Sequence, residues 1–239
     1  MTSVVIIQAG TPPEDIRASV EDISHWFIRA LGGAVESVDV VPVYLDEPLP
    51  RPNPKSVAII TGSWSMVTDR HPWSERLAEW IRDAMVLDVP MFGVCYGHQI
   101  MAHALGGTVD YHMDGCEIGC RKIYLSPTAV EDPLLKSWPT AFSAHLTHLQ
   151  TIVELPPGAK ALAFSDHDPH QIVRYGAKAL STQFHPEFTP EIAAACIRRR
   201  AAVLEQEEDV LSALLASLDE TPEALRLLKD FVEIHSQQA

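Results

Sequence analysis

Short unbroken apolar runs alternate along this chain with longer stretches in which apolar residues recur three and four positions apart. Val4-Val5-Ile6-Ile7 is the first run, and after Gly10-Thr11-Pro12-Pro13 a helical pattern covers residues 14–31 and stops at Gly32-Gly33. Residues 38–41 and 57–60 read as two further strands, the second ending at Thr61-Gly62. Residues 73–85 form an amphipathic helical pattern, 90–94 another apolar strand, and 97–105 a helix closed by Gly106-Gly107.

Continuous apolar strands alternating with helices are the pattern of parallel strands covered on both faces. The expected fold is therefore α/β: an open, mostly parallel central sheet with helices on both faces. From Thr108 to Ser181 the texture shifts to shorter β-rich pieces, at 117–125, 151–155, 161–164 and 171–175, then 179–185. These predict extra antiparallel strands on or beside the same sheet, not a second domain. After Thr189-Pro190 the pattern is helical over 190–200, 203–218 and 222–235, with Leu211, Leu214, Leu215 and Leu218 at helical spacing. The expected organisation is one domain of residues 1–190 with a C-terminal helical extension, 191–239, packed on it.

Composition narrows the function. The 239 residues carry a net charge of -14, which repels phosphate backbones, so nucleic acid is not an expected partner. No run approaches the roughly 20 apolar residues of a membrane-spanning helix, and the N-terminus lacks the features of a signal peptide, so no membrane contact and a cytoplasmic location are expected. The one basic cluster, Arg198-Arg199-Arg200, reads first as the cationic end of a helix and second as a docking patch. Four cysteines, Cys95, Cys116, Cys120 and Cys196, are too few and scattered for a disulfide scaffold. Cys116 and Cys120 lack a second Cys or His pair at zinc spacing, and neither metal nor cofactor is expected. Trp64, Trp73 and Tyr111 read as core or rim aromatics, or as a contact face.

Chemistry concentrates at Cys95. It falls where a buried strand turns into a helix, the place where open parallel sheets bind ligands. Gly93 and Gly97 flank it as in the strand-turn-helix elbow that exposes a nucleophile at its apex. A thiol there meets the positive end of the helix dipole, and the Tyr96 N–H is positioned to meet an oxyanion formed by its attack on a carbonyl. Alone, the cysteine reads equally as an inert thiol in a tight junction. A nucleophile needs a base and the base an orienting group, and His185-Pro186-Glu187 supplies both: the carboxylate can turn back onto Nδ1 of the imidazole.

Together, Gly93-Val94-Cys95-Tyr96-Gly97-His98-Gln99 and the later His185-Pro186-Glu187 resemble the class I (triad) glutamine amidotransferases, as in the glutaminase domain of GMP synthase, over roughly residues 1–190. The resemblance implies flavodoxin-like layering and a role for each residue. Cys95 attacks the side-chain amide of glutamine to give a γ-glutamyl thioester; His185 serves as base and then as acid toward the leaving ammonia; Glu187 orients His185; Gln99 contacts the amino-acid end of the substrate. Tyr96 gives one oxyanion N–H. The family takes the second from a Gly-Gly-Pro loop, which here reads Thr61-Gly62-Ser63-Trp64, so Gly62 and Ser63 inherit that role. Where GMP synthases show Ser-His-x-Asp, this chain has Thr147-His148-Leu149-Gln150, without the acid, and His145 and His148 read as polar surface or partner-facing residues. His98 and His103 read as facing out of, or packing beside, the elbow helix.

With no Gly-Lys-Ser/Thr phosphate loop in the sequence, activation of an ammonia acceptor is expected from a separate synthase subunit. The alternatives are a γ-glutamyl peptidase or hydrolase, which uses the same thioester on larger leaving amines, and a non-catalytic binding module that keeps the fold.

Overall fold

The computed structural model describes residues 3–35, 37–203 and 207–236. Its strands in chain order are β1 (Ser3–Gln8), β2 (Ser37–Pro42), β3 (Ser56–Ile60), β4 (Met91–Val94), β5 (Thr108–Tyr111), β6 (Glu117–Leu125), β7 (Ala141–His148), β8 (Gln150–Glu154), β9 (Lys160–Phe164), β10 (Ile172–Gly176) and β11 (Ala179–Thr182). The helices are α1 (Glu14–Val20), α2 (Ile23–Leu31), α3 (Pro72–Val86), α4 (Tyr96–Ala104), α5 (Pro190–Val203), α6 (Glu208–Ala216) and α7 (Pro222–Ser236). Among the described residues nine strands form one sheet in the order β2-β1-β3-β4-β11-β10-β9-β6-β7, while β5 and β8 pair separately. The strands from β2 to β11 run parallel, and β10, β9, β6 and β7 continue the sheet antiparallel.

The unbroken apolar runs arise because both faces of the parallel part are covered. In β3, Val57 and Ile59 join a core with Trp26, Phe27, Leu228 and Phe231 from α2 and α7. Ala58 and Ile60 point the other way, into a core with Leu77, Ile81, Ile100 and Met101 from α3 and α4. Phe92 of β4 meets Phe231 edge-on, with ring centroids 5.2 Å apart, so α7 packs directly over the sheet. By contrast α6 buries no residue completely.

Several elements differ from the pattern-based reading. The single helix expected over 14–31 is two helices, because Glu21 takes a left-handed φ of 68° and Asp22 starts a new helix by accepting from the Ile23 N–H at 2.7 Å. The Trp26 indole N–H donates to the Val20 carbonyl at 2.6 Å, satisfying the end of α1. Strand β7 escapes the pattern because its consecutive residues Ala144, His145, Leu146, Thr147 and His148 are all buried, leaving no apolar-polar alternation. Strand β11 ends at Thr182 and not at His185, which is held to β7 by one bridge, its N–H donating to the His145 carbonyl at 2.9 Å. The helix expected over 203–218 is described over Glu208–Ala216, with residues 204–206 outside the described ones. Among the described residues no helix is long and apolar enough to cross a membrane.

Candidate active site

Cys95 leaves β4 and caps α4 in a backbone conformation of φ 51° and ψ -98°. That is a strained geometry for a residue with a Cβ, and it turns the side chain out of the sheet at the strand end. The flanking hydrogen bonds hold the turn: Cys95 N–H donates to Thr182 O at 2.8 Å and Gly97 N–H to Thr61 O at 3.1 Å. Tyr96, as the first residue of α4, keeps an N–H without an intrahelical acceptor.

The two elbow glycines are required by crowding. A Cβ on Gly97 would collide with the Ile60 carbonyl, and one on Gly93 would lie 2.6 Å from both Gly97 O and Met101 Sδ. A Cβ on Gly62 would lie 3.1 Å from His185 Cε1 and 3.7 Å from Cys95 Cβ, so cysteine and imidazole converge on the same α-carbon. These contacts separate two roles. Gly97→Ala is expected to cost about 1–3 kcal/mol of stability through overpacking, read as a lower urea midpoint. Gly62→Ala should leave that midpoint near the wild-type value while displacing the His185 ring and suppressing activity.

His185 is buried, and its Nδ1 lies 2.7 Å from Glu187 Oε1. Phe188 stacks on the ring at 4.0 Å and 20°, fixing its plane, and Trp26 meets Phe188 edge-on at 5.6 Å. Among the described residues, His185 Nε2 and Glu187 Oε2 are buried without a conventional hydrogen-bond partner, while the imidazole interacts with the Cys95 thiol. Cys95, His185 and Glu187 line one pocket together with Ile23, Trp26, Gly62, Ser63, Trp64, Thr147, Phe188 and Arg200. The free cavity there is only about 20 Å3, on the order of a single water molecule, so the site is nearly filled by its own side chains.

Burial pushes the Cys95 thiol up, but the charge on His185, with a smaller contribution from His148, outweighs it and leaves the thiol below its ordinary range. Burial pulls His185 down, and the negative charges of Glu187 and Cys95 push it up to about 10. The site therefore favours a thiolate facing an imidazolium. The other thiols go the opposite way: burial raises Cys116, Cys120 and Cys196.

The remaining residues singled out in the sequence separate clearly. Gln99 does not line the pocket: its amide NH2 donates to Gln150 O at 2.6 Å and to Gln183 Oε1 at 2.9 Å. His145 and His148 are buried, not on the surface or facing a partner, because β7 lies between covering layers. His148 Nε2 lies 2.9 Å from Glu117 Oε2, and burial drives His145 down to about 4. His98 is fully buried, with Nδ1 2.7 Å from Ser181 Oγ, whereas His103 lies near Glu75 and Arg70. Trp73 is core, Trp64 lines the pocket, and Tyr111 is exposed. Trp26, Thr147, Phe188 and Arg200 join the site without having been singled out for it. Phe188 sits close enough to the His-Pro-Glu triplet to have been a candidate, whereas the others come from separate elements.

A strained cysteine elbow at the carboxyl end of a parallel strand, sharing a pocket with a carboxylate-bound histidine, defines a thiol-centred α/β site. The chain belongs to the family Glutamine amidotransferase class-I, which it matches over residues 19–202. It is 27% identical over 186 residues to Gamma-glutamyl peptidase 5 of Arabidopsis thaliana, covering 75% of this chain and 74% of that one. It is 32% identical over 143 residues to the GMP synthase [glutamine-hydrolyzing] of Trichormus variabilis, covering 59% of this chain but only 24% of the synthase. The fold is similar to that of a glutamine amidotransferase from Thermotoga maritima, with a TM-score of 0.78, 21% identity and coverage of 99% and 98% of the two chains. A glutamine amidotransferase from Methylobacillus flagellatus is similar at a TM-score of 0.71 and 24% identity, with 99% and 92% covered.

Proposed function

We propose that the protein hydrolyses the side-chain amide of glutamine through a γ-glutamyl thioester on Cys95, releasing ammonia to an acceptor or partner synthase yet to be identified. The observation that carries this reading is the shared pocket in which the strained Cys95 meets His185, itself tied to Glu187 at 2.7 Å. The Cys95 thiolate attacks the amide carbon, and the Tyr96 N–H with the Gly62-Ser63 backbone accommodates the oxyanion. His185 gives its Nε2 proton to the leaving nitrogen as the C–N bond breaks. A water then attacks the thioester with His185 as base, the C–S bond breaks, glutamate leaves, and the thiolate and imidazolium are restored. Glu187 holds the ring orientation and supports its cationic form.

The likeness to a γ-glutamyl peptidase over three quarters of both chains favours a second reading, in which the leaving group is the amine of a γ-glutamyl peptide. The two are separated by measuring ammonia from glutamine beside amine from γ-glutamyl dipeptides, with Cys95→Ser as the control. Glutamine turnover that disappears in the variant is the expected outcome. Preference for the dipeptide selects the peptidase reading, and silence on both, with and without cell extract, leaves a non-catalytic binding module.

A further inference from the structure

The expected partner for the amino-acid end of the substrate, Gln99, is engaged inside the fold with Gln150 and Gln183. The pocket offers another. The three consecutive arginines of α5 diverge: Arg198 lies on an open surface hollow, Arg199 lies 3.8 Å from Asp15, and Arg200 enters the pocket of Cys95 and His185. Apart from the His185 imidazole, Arg200 is the one cationic side chain in that lining. No carboxylate pairs with its guanidinium among the described residues. In a chain with a net charge of -14, an anionic ligand needs a local cation to enter a small buried site. A planar guanidinium matches a carboxylate with two parallel hydrogen bonds.

We propose that Arg200 recognises the free α-carboxylate of the substrate, restricting the site to glutamine and γ-glutamyl compounds whose amino-acid end is unblocked. This inference rests on the amide-cleaving reading above. It makes Arg200 a binding and specificity residue, with Cys95 left to perform the bond cleavage at the opposite end of the ligand.

The test compares wild type, Arg200→Gln, Arg200→Lys and, as a control, Arg199→Gln on glutamine and on γ-aminobutyramide, which is glutamine without its α-carboxylate. Arg200→Gln is expected to raise KM for glutamine about 10- to 100-fold, the range for losing a hydrogen-bonded charge partner, with kcat little changed. It should also erase the wild-type preference for glutamine over γ-aminobutyramide. Arg200→Lys, which keeps the charge but loses the fork, is expected to raise KM less, and it carries the test if Arg200→Gln does not fold. Arg199→Gln should match wild type. An unchanged KM in both Arg200 variants, or an undiminished preference for glutamine, overturns the proposal while leaving amide cleavage intact. Calorimetric titration of glutamine into Cys95→Ala protein, with and without Arg200→Gln, separates the two claims. Binding that depends on Arg200 upholds the carboxylate site even if wild type turns over nothing, whereas equal binding, or none, refutes it.

Discussion

Replacing His185 with asparagine is expected to lower kcat/KM for glutamine by about 10^4-fold, the upper end of what a positioned acid–base group contributes, and to move alkylation of Cys95 to higher pH. The two effects have one cause. Cys95 is buried, and burial alone would hold it as a neutral thiol; the charge on His185 reverses that direction. The reactive ion pair exists above the depressed thiol pKa and below that of His185, which its anionic neighbours push up to about 10. The sign follows from linkage: stability from the raised His185 pKa is fully present below its ordinary value near 6.5 and is lost as pH rises through about 10. In wild type, iodoacetamide at about pH 7, below the ordinary thiol range near 8.5, should add one adduct, on Cys95. The raised thiols of Cys116, Cys120 and Cys196 should stay unmodified. In the His185→Asn protein the Cys95 adduct should form only at higher pH. Equal labelling of all four cysteines in wild type, or an unmoved profile in the variant, would contradict a thiolate made by this histidine.

The second large effect concerns stability. Behind the site, Glu117 accepts from Ser165 Oγ at 2.7 Å and Gln171 Nε2 at 2.8 Å, and its carboxylate lies 2.9 Å from His148 Nε2. His148 Nδ1 lies 2.9 Å from Gln150 O, and both members of the pair are almost fully buried. Burial opposes both charges, but the hydrogen bond between the two lowers Glu117 and raises His148, which Asp168 also favours. Glu117→Gln removes the anion while keeping the shape, leaving a buried imidazole without its counter-charge. The expected loss grows toward acid pH, where the unpaired imidazole is driven to charge, and approaches about 3–5 kcal/mol there, as for other broken buried pairs, a large share of the roughly 5–15 kcal/mol of a typical domain.

The pH dependence gives this prediction a signature that simple misfolding lacks. In wild type the Glu117 contribution is present above its ordinary pKa near 4.5 and lost as pH falls through the lowered value. The His148 contribution is present below 6.5 and lost as pH rises through the raised value. Burial is already the largest single influence on His148, outweighed only by Glu117, Asp168 and Cys95 together. Without the Glu117 carboxylate the balance is expected to tip toward burial and take the His148 pKa below that of the unfolded chain. Protonation then favours unfolding. Urea midpoints of Glu117→Gln should therefore fall between about pH 7 and pH 5, where wild type gains or holds; parallel curves for the two proteins would refute the account.

The parallel half of the sheet is legible in the sequence because covering both faces forces continuous apolar runs, as at Val57–Ile60 and Met91–Val94, and because the elbow needs glycine on each side of Cys95. The pairing of His185 with Glu187 is equally local: two residues separated by a proline can meet without help from the rest of the chain. The same sequence rules mislead where burial is imposed from outside the segment. The burial of His145 and His148 follows from the layers that cover β7, and the break between α1 and α2 follows from Asp22 capping and Trp26 reaching back to Val20. Gln99 stands at a motif position, yet the distant Gln150 and Gln183 decide where its amide points. Local order thus determined which side chains can carry chemistry, namely a bent cysteine and a carboxylate-bound imidazole. Tertiary packing alone decided what surrounds them, drawing Arg200, Trp26 and Thr147 from remote segments, because side-chain direction in a close-packed interior is set by neighbours that no short window of sequence contains.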